Sequence, residues 1–312
     1  MEPSKAVLVA VDASPESARA AALGWAIARV SHARFRLVHV ARDPESDAWA
    51  PAPANPPALQ RMVDEGDRDA IEAALAKTVP QPVITHLEMH RGAAADVLAN
   101  LSHGAELLVL GGKHHTALGR WLVGSTAHQL VRTSTAPILI AGPVNTGLPR
   151  RVLAAVDLST AAGPTLAYAA RFAAMLEADL GVLHVVEPLP PVFDPVLGPA
   201  KAVLGIMDND ARFHAAEDVL DASVWPEHLY PNAERLLRHG AASATIVAEA
   251  RNWHADVLVV GTHGRGFIER LVLGSVTNYL LNDLPMSLLV VPMLRPAAAS
   301  EPVAMPATLA IA

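Results

Sequence analysis

The segment VLVVGTHGRGFIERLVLGS, residues 257–275, is the most informative about the fold, because its four glycines separate an apolar run from a helical pattern. The continuous β-branched and aliphatic run at 257–260 is typical of a strand buried on both faces of a parallel sheet. A helix-like pattern follows at 276–282. A second passage, LGGKHHTALGRWLVGS at 110–125, has the same layout, with a histidine at one glycine position. We therefore predict a strand, a glycine-rich loop and a helix, present twice.

The repetition extends along the chain. KAVLVAVDAS (5–14) matches RVLAAVDLS (151–159), and TAPILIAGP (135–143) matches LPMSLLVVP (284–292). The landmarks recur at nearly one offset, 145 positions for Asp12 and Asp157 (157 − 12) and for His39 and His184 (184 − 39), and 150 for Gly111 and Gly261 (261 − 111) and for Ser125 and Ser275 (275 − 125). Landmarks that recur in one order indicate an internal duplication.

Each half alternates between strand and helix patterns. In the first half we predict strands at 6–12, 34–40, 83–90, 106–111 and 137–141, and helices at 15–30, 59–78, 93–103 and 123–134. In the second half we predict strands at 151–157, 179–185, 233–239, 256–261 and 287–292, and helices at 163–177, 201–222, 241–252 and 273–283. This alternation predicts a doubly wound, five-stranded parallel sheet in each half.

The domain boundaries follow from the repeat. The first domain is expected at 1–142 and the second at 150–293, joined by a short Pro/Gly linker, and a loosely ordered tail is expected at 294–312. Proline-rich stretches at 44–57 and 188–199 predict surface loops. The chain of 312 residues has room for two such domains.

Composition and charge exclude several classes of protein. The chain is 52% apolar and only 18% charged, so it can bury substantial cores. A net charge of −7 argues against nucleic-acid binding by phosphate neutralisation. The absence of cysteine excludes disulfides, thiolate catalysis and cysteine zinc sites. We see no apolar run of membrane-spanning length, and the run at 6–11 is a strand that ends at Asp12, so a cytoplasmic location without membrane contact is expected.

The glycine passage of the second half predicts a phosphate site. In open α/β sheets, ligands bind beyond the carboxyl ends of the strands, where the strand order reverses. Gly261 and Gly264 would let the backbone approach a ligand, and Gly274–Ser275 would open a helix whose N–H groups favour anions. Asp157 could accept hydrogen bonds from ribose hydroxyls or hold a metal bound to phosphates. The passage matches neither the Walker nor the Rossmann pattern, and its glycines could instead serve turns and a helix cap.

The spacing Gly261-x2-Gly264-x9-Gly274-Ser275 resembles the signature of ATP-binding universal stress proteins. The Val-Asp-x-Ser opening, the His-Val strand end and the proline-led closing strand also resemble that family, over about 1–142 and 150–293. The resemblance implies a flavodoxin-like fold with ATP in the strand-end cleft, possible Mg²⁺ with its phosphates, and a stress-response regulator or nucleotide sensor. It assigns the ribose side to Asp157, adenine to the backbone of Val185, and phosphates and ribose to Gly261, His263, Gly264, Gly274, Ser275 and Val276.

The first half departs from this signature. His114 stands at the position of Gly264, and Thr116 at that of Gly266. A side chain at position 114 would stand where the phosphates must come close, although Lys113 could compensate in part by its charge. The resemblance therefore implies nucleotide mainly in the second half. The corresponding first-half positions are Asp12, Val40, Gly111, Lys113, Gly124, Ser125 and Thr126.

The edge strands at 137–141 and 287–292 are apolar and are expected to pair, because unpaired apolar edges associate. In a tandem chain the partner is the other half, so we expect two halves related by a pseudo-twofold, with a homodimer as a further expectation. Protein partners remain open.

Two other functions remain open. A slow ATP hydrolase would have only His263 and Asp157 as candidate bases, and we assign no catalytic residues because the chain has neither cysteine nor a G-x-S-x-G motif. A nucleotide-free interaction platform would use the glycine loops only as structure. We assign no metal site, although His86 and His90 are expected on one face of a predicted strand.

Overall fold

The computed structural model describes residues 6–41, 57–115, 120–143, 147–157, 159, 162–188, 211–218, 232–262 and 273–293. The first half contains strands β1 (Ala6–Ala10), β2 (Arg34–Ala41), β3 (Glu88–Arg91), β4 (Leu107–Gly111), β5 (Lys113–His115), β6 (Arg120–Leu122) and β7 (Ile138–Ala141), with helices α1 (Pro15–Ser31), α2 (Pro57–Leu75), α3 (Gln81–Ile84), α4 (Ala94–Leu101) and α5 (Ser125–Thr133). The second half contains strands β8 (Arg151–Ala155), β9 (Asp179–Val186), β10 (Glu234–His239), β11 (Val257–Gly261) and β12 (Ser287–Val291), with helices α6 (Ala162–Leu176), α7 (211–218), α8 (Ala242–Asn252) and α9 (Ser275–Asn282).

One ten-stranded sheet runs through both halves in the order β10-β9-β8-β11-β12-β7-β4-β1-β2-β3. Within each half, all neighbouring strands of this sheet are parallel. The first strand of each half lies at the centre of its five, and the chain winds to one side and then to the other. Each half is thus doubly wound, as the strand–helix alternation predicted, with its strands in the order 3-2-1-4-5.

The two halves join through β7 and β12, which pair with each other as predicted for the two apolar edges and run antiparallel. The three paired positions are Leu288 with Ile140, Leu289 with Leu139 and Val290 with Ile138. Within the two halves, Leu139 and Leu289 occupy equivalent places beside β4 and β11. The middle pair thus joins equivalent residues, so the pseudo-twofold passes between them and the contact is self-complementary.

Close backbone packing supports this junction. A Cβ at Gly142 would overlap the backbone of Met286, and the Gly142 N–H donates to Ser287 Oγ at 3.1 Å. Farther from the axis, the Tyr168 hydroxyl of α6 donates to the carbonyl oxygen of Glu106 at 3.1 Å. Burial raises the pKa of that hydroxyl, which therefore stays protonated and able to donate.

The hydrophobic core forms two layers, one on each face of the sheet. One layer lies under α1 and α6 and the other under α4, α5, α8 and α9, and each contains buried strand residues from both halves. Valine, leucine, isoleucine and alanine dominate both layers, as the low aromatic content of 4% requires. The halves therefore bury their apolar surface together rather than as two separate cores.

The predicted strand at 83–90 is wrong in its first part. Residues 81–84 form α3, with prolines at 80 and 82, and the strand covers only Glu88–Arg91. Proline fits the first turn of a helix, where its missing N–H costs nothing. His86 consequently lies in the turn after α3, where its Nδ1 contacts the Pro82 carbonyl oxygen at 2.9 Å. His86 and His90 do not share a strand face.

Other differences concern element ends and the glycine passage of the first half. The predicted loop there contains a two-stranded antiparallel hairpin of β5 and β6. The Val123 N–H, just after this hairpin, donates across the junction to the Leu281 carbonyl oxygen at 3.0 Å. Of the predicted helix at 201–222, residues 211–218 are helical and the rest lie outside the described residues, as do the loop at 189–199 and the tail at 294–312. None of the described helices is long and apolar enough to cross a membrane.

Candidate functional site

The strand order of the second half reverses between β8 and β11. From β8 the chain passes outward to β9 and β10, then returns to β11 on the other side of β8. Asp157 follows the end of β8, Val185 lies at the end of β9, Gly261 ends β11, and α9 begins at Ser275. Because parallel strands end at the same edge, these residues flank one crevice, the usual ligand position in open α/β sheets.

The start of α9 is tied directly to the end of β11. The Gly274 N–H donates to the Thr262 carbonyl oxygen at 3.0 Å, and the Thr277 hydroxyl donates to the Gly261 carbonyl oxygen at 2.7 Å. Both threonines are buried. The residue that caps α9 is Gly274, which has no side chain to accept the N–H groups of the first turn, and Ser275 is exposed. The helix thus presents its positive end at the crevice.

Asp157 is a half-buried carboxylate just after the end of β8. Its Oδ1 accepts hydrogen bonds from the backbone N–H of Ser159 at 3.0 Å and from the Ser159 hydroxyl at 2.5 Å. These contacts orient the carboxylate at the end of β8. Charge-assisted hydrogen bonds of this kind are stronger than neutral ones, so the carboxylate geometry is well defined.

Asp12, the first-half counterpart, is held by two serines. Its Oδ1 accepts from the Ser14 N–H at 3.0 Å, from the Ser14 hydroxyl and from the Ser17 hydroxyl at 2.6 Å. Partial burial acts to raise the pKa of Asp12, but the bonds from Ser14 and Ser17 and the charge of Lys113 lower it below its usual value. In the second half Ala162 stands at the position of Ser17, so that contact is missing. Ser14 also caps α1.

Two first-half glycines have packing roles. A Cβ at Gly111 would lie 2.9 Å from the backbone carbon and oxygen of Glu16, so the missing side chain lets β4 end against the first turn of α1. A Cβ at Gly124 would lie 3.3 Å from Lys113 Cε and 3.8 Å from its Nζ. The start of α5 therefore already faces an ammonium group of its own chain.

A paired histidine contact was missed in the sequence, although the histidines were noted as landmarks. His39 Nδ1 lies 2.7 Å from the Val11 carbonyl oxygen, and His184 Nδ1 lies 2.8 Å from the Val156 carbonyl oxygen. Each contact joins β-strand ends next to the aspartate of its half. The recurrence of His39 and His184 at a constant offset was the available signal, but the partner atom could not be read from it.

The structure brings most predicted site residues to the expected edges. The second-half residues at the crevice are Asp157, Val185, Gly261, Gly274, Ser275 and Val276, and the first-half counterparts are Asp12, Val40, Gly111, Gly124 and Ser125. His263, Gly264 and Thr116 lie outside the described residues. Among the residues that are described, no group of three or more His, Asp or Glu side chains could hold a metal ion.

Comparison with known proteins agrees with this architecture. The model of the universal stress protein family matches residues 3–142 and again 149–292. A universal stress protein of Mycolicibacterium smegmatis is 29% identical over 302 residues, covering 91% of this chain and 96% of that protein. One of Mycobacterium tuberculosis is 31% identical over 292 residues, covering 88% and 91%.

Solved structures share the whole fold. A universal stress protein from Archaeoglobus fulgidus superposes with a TM-score of 0.59 at 17% identity, covering 93% of this chain and 98% of that one. A putative universal stress protein from Pseudomonas aeruginosa gives 0.55 at 17% identity, covering 92% and 93%. At this identity the similarity establishes the tandem fold alone.

Proposed function

The chain belongs to the universal stress protein family, and from that premise we propose that it binds ATP in the crevice of the second half and acts as a stress-response regulator or nucleotide sensor. The observation that carries the proposal is the attachment of α9 to β11 at the point where the strand order reverses. The attachment fixes a helix N-terminus at the same edge of the sheet as the Asp157 carboxylate. That combination suits a ligand with both phosphates and hydroxyl groups.

Each part of a nucleotide has a chemically suitable neighbour in this proposal. The first N–H groups of α9 and the Ser275 hydroxyl would donate to phosphate oxygens. Asp157 would accept hydrogen bonds from the ribose hydroxyls, and the backbone of Val185 would meet the base. Mg²⁺ would arrive with the phosphates, because magnesium is commonly held by one or two carboxylates together with substrate phosphates.

The first-half crevice is a poorer receptor for the same ligand. The Asp12 carboxylate accepts a hydrogen bond from Ser17, whose counterpart in the second half is Ala162, so a ligand hydroxyl would compete with that serine. His114 stands at the position of Gly264, where the second half has no side chain. We therefore propose one nucleotide per chain, bound in the second half.

The test is a comparison of equivalent aspartates. Native mass spectrometry of the gently purified chain should find one adenine nucleotide per chain, and calorimetric titration should give one ATP site. Asp157→Asn should weaken ATP binding by about tenfold or more, because a charge-assisted bond to ligand is lost. Asp12→Asn, the matched control, should leave the affinity unchanged. No binding by the wild-type chain, or equal effects of the two variants, would contradict the proposal.

Regulation rather than turnover is the expected use of the nucleotide. Steady-state phosphate release with Mg·ATP should be well below about 1 per second, the lower end of ordinary enzyme turnover. Turnover within the ordinary range would favour an ATP hydrolase on the same fold.

A further inference from the structure

The hydrogen-bond ladder between β8 and β9 ends on a side chain. Its last backbone bond runs from the Val156 N–H to the Leu183 carbonyl oxygen at 2.9 Å. A regular parallel ladder would continue with the Val185 N–H donating to the Val156 carbonyl oxygen. Instead that oxygen contacts His184 Nδ1 at 2.8 Å, and no bond from Val185 to Val156 is found among the described residues.

The first half ends its ladder in the same way. The Val11 N–H donates to the Val38 carbonyl oxygen at 2.9 Å, and His39 Nδ1 lies 2.7 Å from the Val11 carbonyl oxygen. Within the described part of the chain, Val40 makes no backbone bond to Val11. Two occurrences at equivalent positions indicate that the histidine contact is part of the domain architecture rather than an accident of one rotamer.

The chemistry of the contact fixes the direction of donation. A carbonyl oxygen can only accept, so Nδ1 of His184 carries the hydrogen and donates. The His184 side chain is only 6% exposed, and a buried polar ring of this kind is normally hydrogen-bonded. The ring therefore satisfies the Val156 carbonyl oxygen and orients the peptide that leads into Asp157.

We infer that His184 is a positioning residue of the nucleotide site: by taking the Val156 carbonyl oxygen, its imidazole keeps the Val185 N–H available as a donor to the ligand. The odd-numbered residues at this end of β9 direct their N–H groups toward β8, as the Leu183 bond shows. The Val185 N–H thus faces the crevice floor beside Asp157. The inference rests on the proposed nucleotide function for the identity of the ligand, but the end of the ladder is independent of it.

Hydrogen exchange in the nucleotide-free chain tests the ladder directly. In His184→Leu the ring donor is lost, so the Val185 N–H can bond to the Val156 carbonyl oxygen and should exchange about tenfold more slowly. His184→Asn should restore fast exchange, because its amide nitrogen occupies the place of Nδ1 and can donate. His39→Leu is the matched control and should slow Val40 while leaving Val185 unchanged. Core amides of β11 report whether each variant is folded.

ATP titration of the same variants tests the role in binding. His184→Leu should weaken ATP binding by about tenfold through loss of the Val185 donor, and His184→Asn should bind nearly as the wild type does. His39→Leu should have no effect. Unchanged Val185 exchange in folded His184→Leu overturns the inference, and so does slowed exchange with unchanged ATP affinity.

Failure of the proposed function would be recognised separately. If the wild-type chain binds no ATP, the nucleotide proposal and the ligand role of His184 fail together at that first titration. The exchange experiment still decides whether the ring ends the ladder, because it uses no ligand.

Discussion

The two halves of the chain share the same strand order and differ in the residues of the crevice at the strand ends. Both have a central first strand that ends before an aspartate, with a histidine ring on the carbonyl of the preceding valine. In the first half, Ser17 donates to Asp12 and Lys113 lies over the start of α5. The second half has Ala162 in place of Ser17 and ties α9 to β11 through Thr277. The comparison shows that crevice residues can change without disturbing the strands that support them, because the core lies in the sheet below.

The largest effect is expected where the halves are most alike, at the pseudo-twofold. Leu139→Ala and Leu289→Ala each remove a fully buried side chain and should lower the free energy of unfolding by about 3 kcal/mol. Urea unfolding followed by circular dichroism measures both. The symmetric register predicts similar losses and non-additive behaviour in the double variant. Met62→Ala, at a 67% exposed site, is the control and should cost little. A loss confined to one leucine would break the symmetry argument.

The second largest effect is expected from exchanging the residue at which the two glycine passages differ. Gly264→His places the first half's own residue in the second half and should weaken ATP binding by at least about tenfold, or about 1.4 kcal/mol, if the backbone there must approach phosphates. Calorimetry measures the affinity. The reciprocal variant, His114→Gly, should raise the number of ATP sites from one toward two. Full affinity in Gly264→His would make the glycine loop a structural element only.

The third expected effect concerns the attachment of α9, which Ala127 cannot provide at the equivalent position in the first half. Thr277→Val removes the 2.7 Å bond to the Gly261 carbonyl oxygen and leaves that oxygen without its buried donor. We expect a loss of about 1 kcal/mol in stability, with ATP binding weakened severalfold. Thr133→Val in α5 removes an exposed bond to Gln129 and serves as the control. Equal effects of the two variants would show that the attachment of α9 to β11 does not account for the difference between the two halves.

The smallest expected effect is on the carboxylate of the first half. Ser17→Ala removes one of the bonds that lower the pKa of Asp12, so that pKa should rise toward its ordinary value of 3.8. A group with a lowered folded-state pKa contributes stability that is present above the unfolded value and lost as the pH falls through the folded value. At pH values above the unfolded-state pKa, the variant should therefore be slightly less stable than the wild type. The difference should shrink as the pH falls through the folded-state pKa. Carbon NMR titration of the Asp12 carboxyl measures the shift, and an unchanged pKa would show that Ser14 alone suffices.

Much of the fold could be predicted from local patterns. The apolar runs at 257–260 and its equivalents predicted the buried strands, and the repeated Asp and Gly landmarks predicted two halves of one design. The predicted strand at 83–90 failed because prolines 80 and 82 start a helical turn within an apolar segment. The β5–β6 hairpin was missed because short strands without a buried apolar face leave little pattern.

The features of the candidate site were likewise predictable only in part. The strand-end positions of Asp157 and Gly261 could be predicted, because a strand ends where its apolar run ends. The expectation that nucleotide binds mainly in the second half also came from the sequence, because His114 stands at the position of Gly264. The sequence could not predict the hydrogen bond from Ser17 to Asp12 or the packing of Gly111 against Glu16. Both depend on how α1 meets the ends of β1 and β4.

Local patterns in the sequence were enough to place most strands and helices, to show that the chain is duplicated and to locate the strand-end residues, because burial and periodicity are local properties of the chain. The folded structure alone gives the register of β7 against β12, centred on Leu139 and Leu289, and the contact between the His184 ring and the Val156 carbonyl oxygen. Both contacts join atoms far apart along the chain. Their geometry is set by sheet register and by competition among donors for one oxygen, and neither leaves a periodic mark in the sequence.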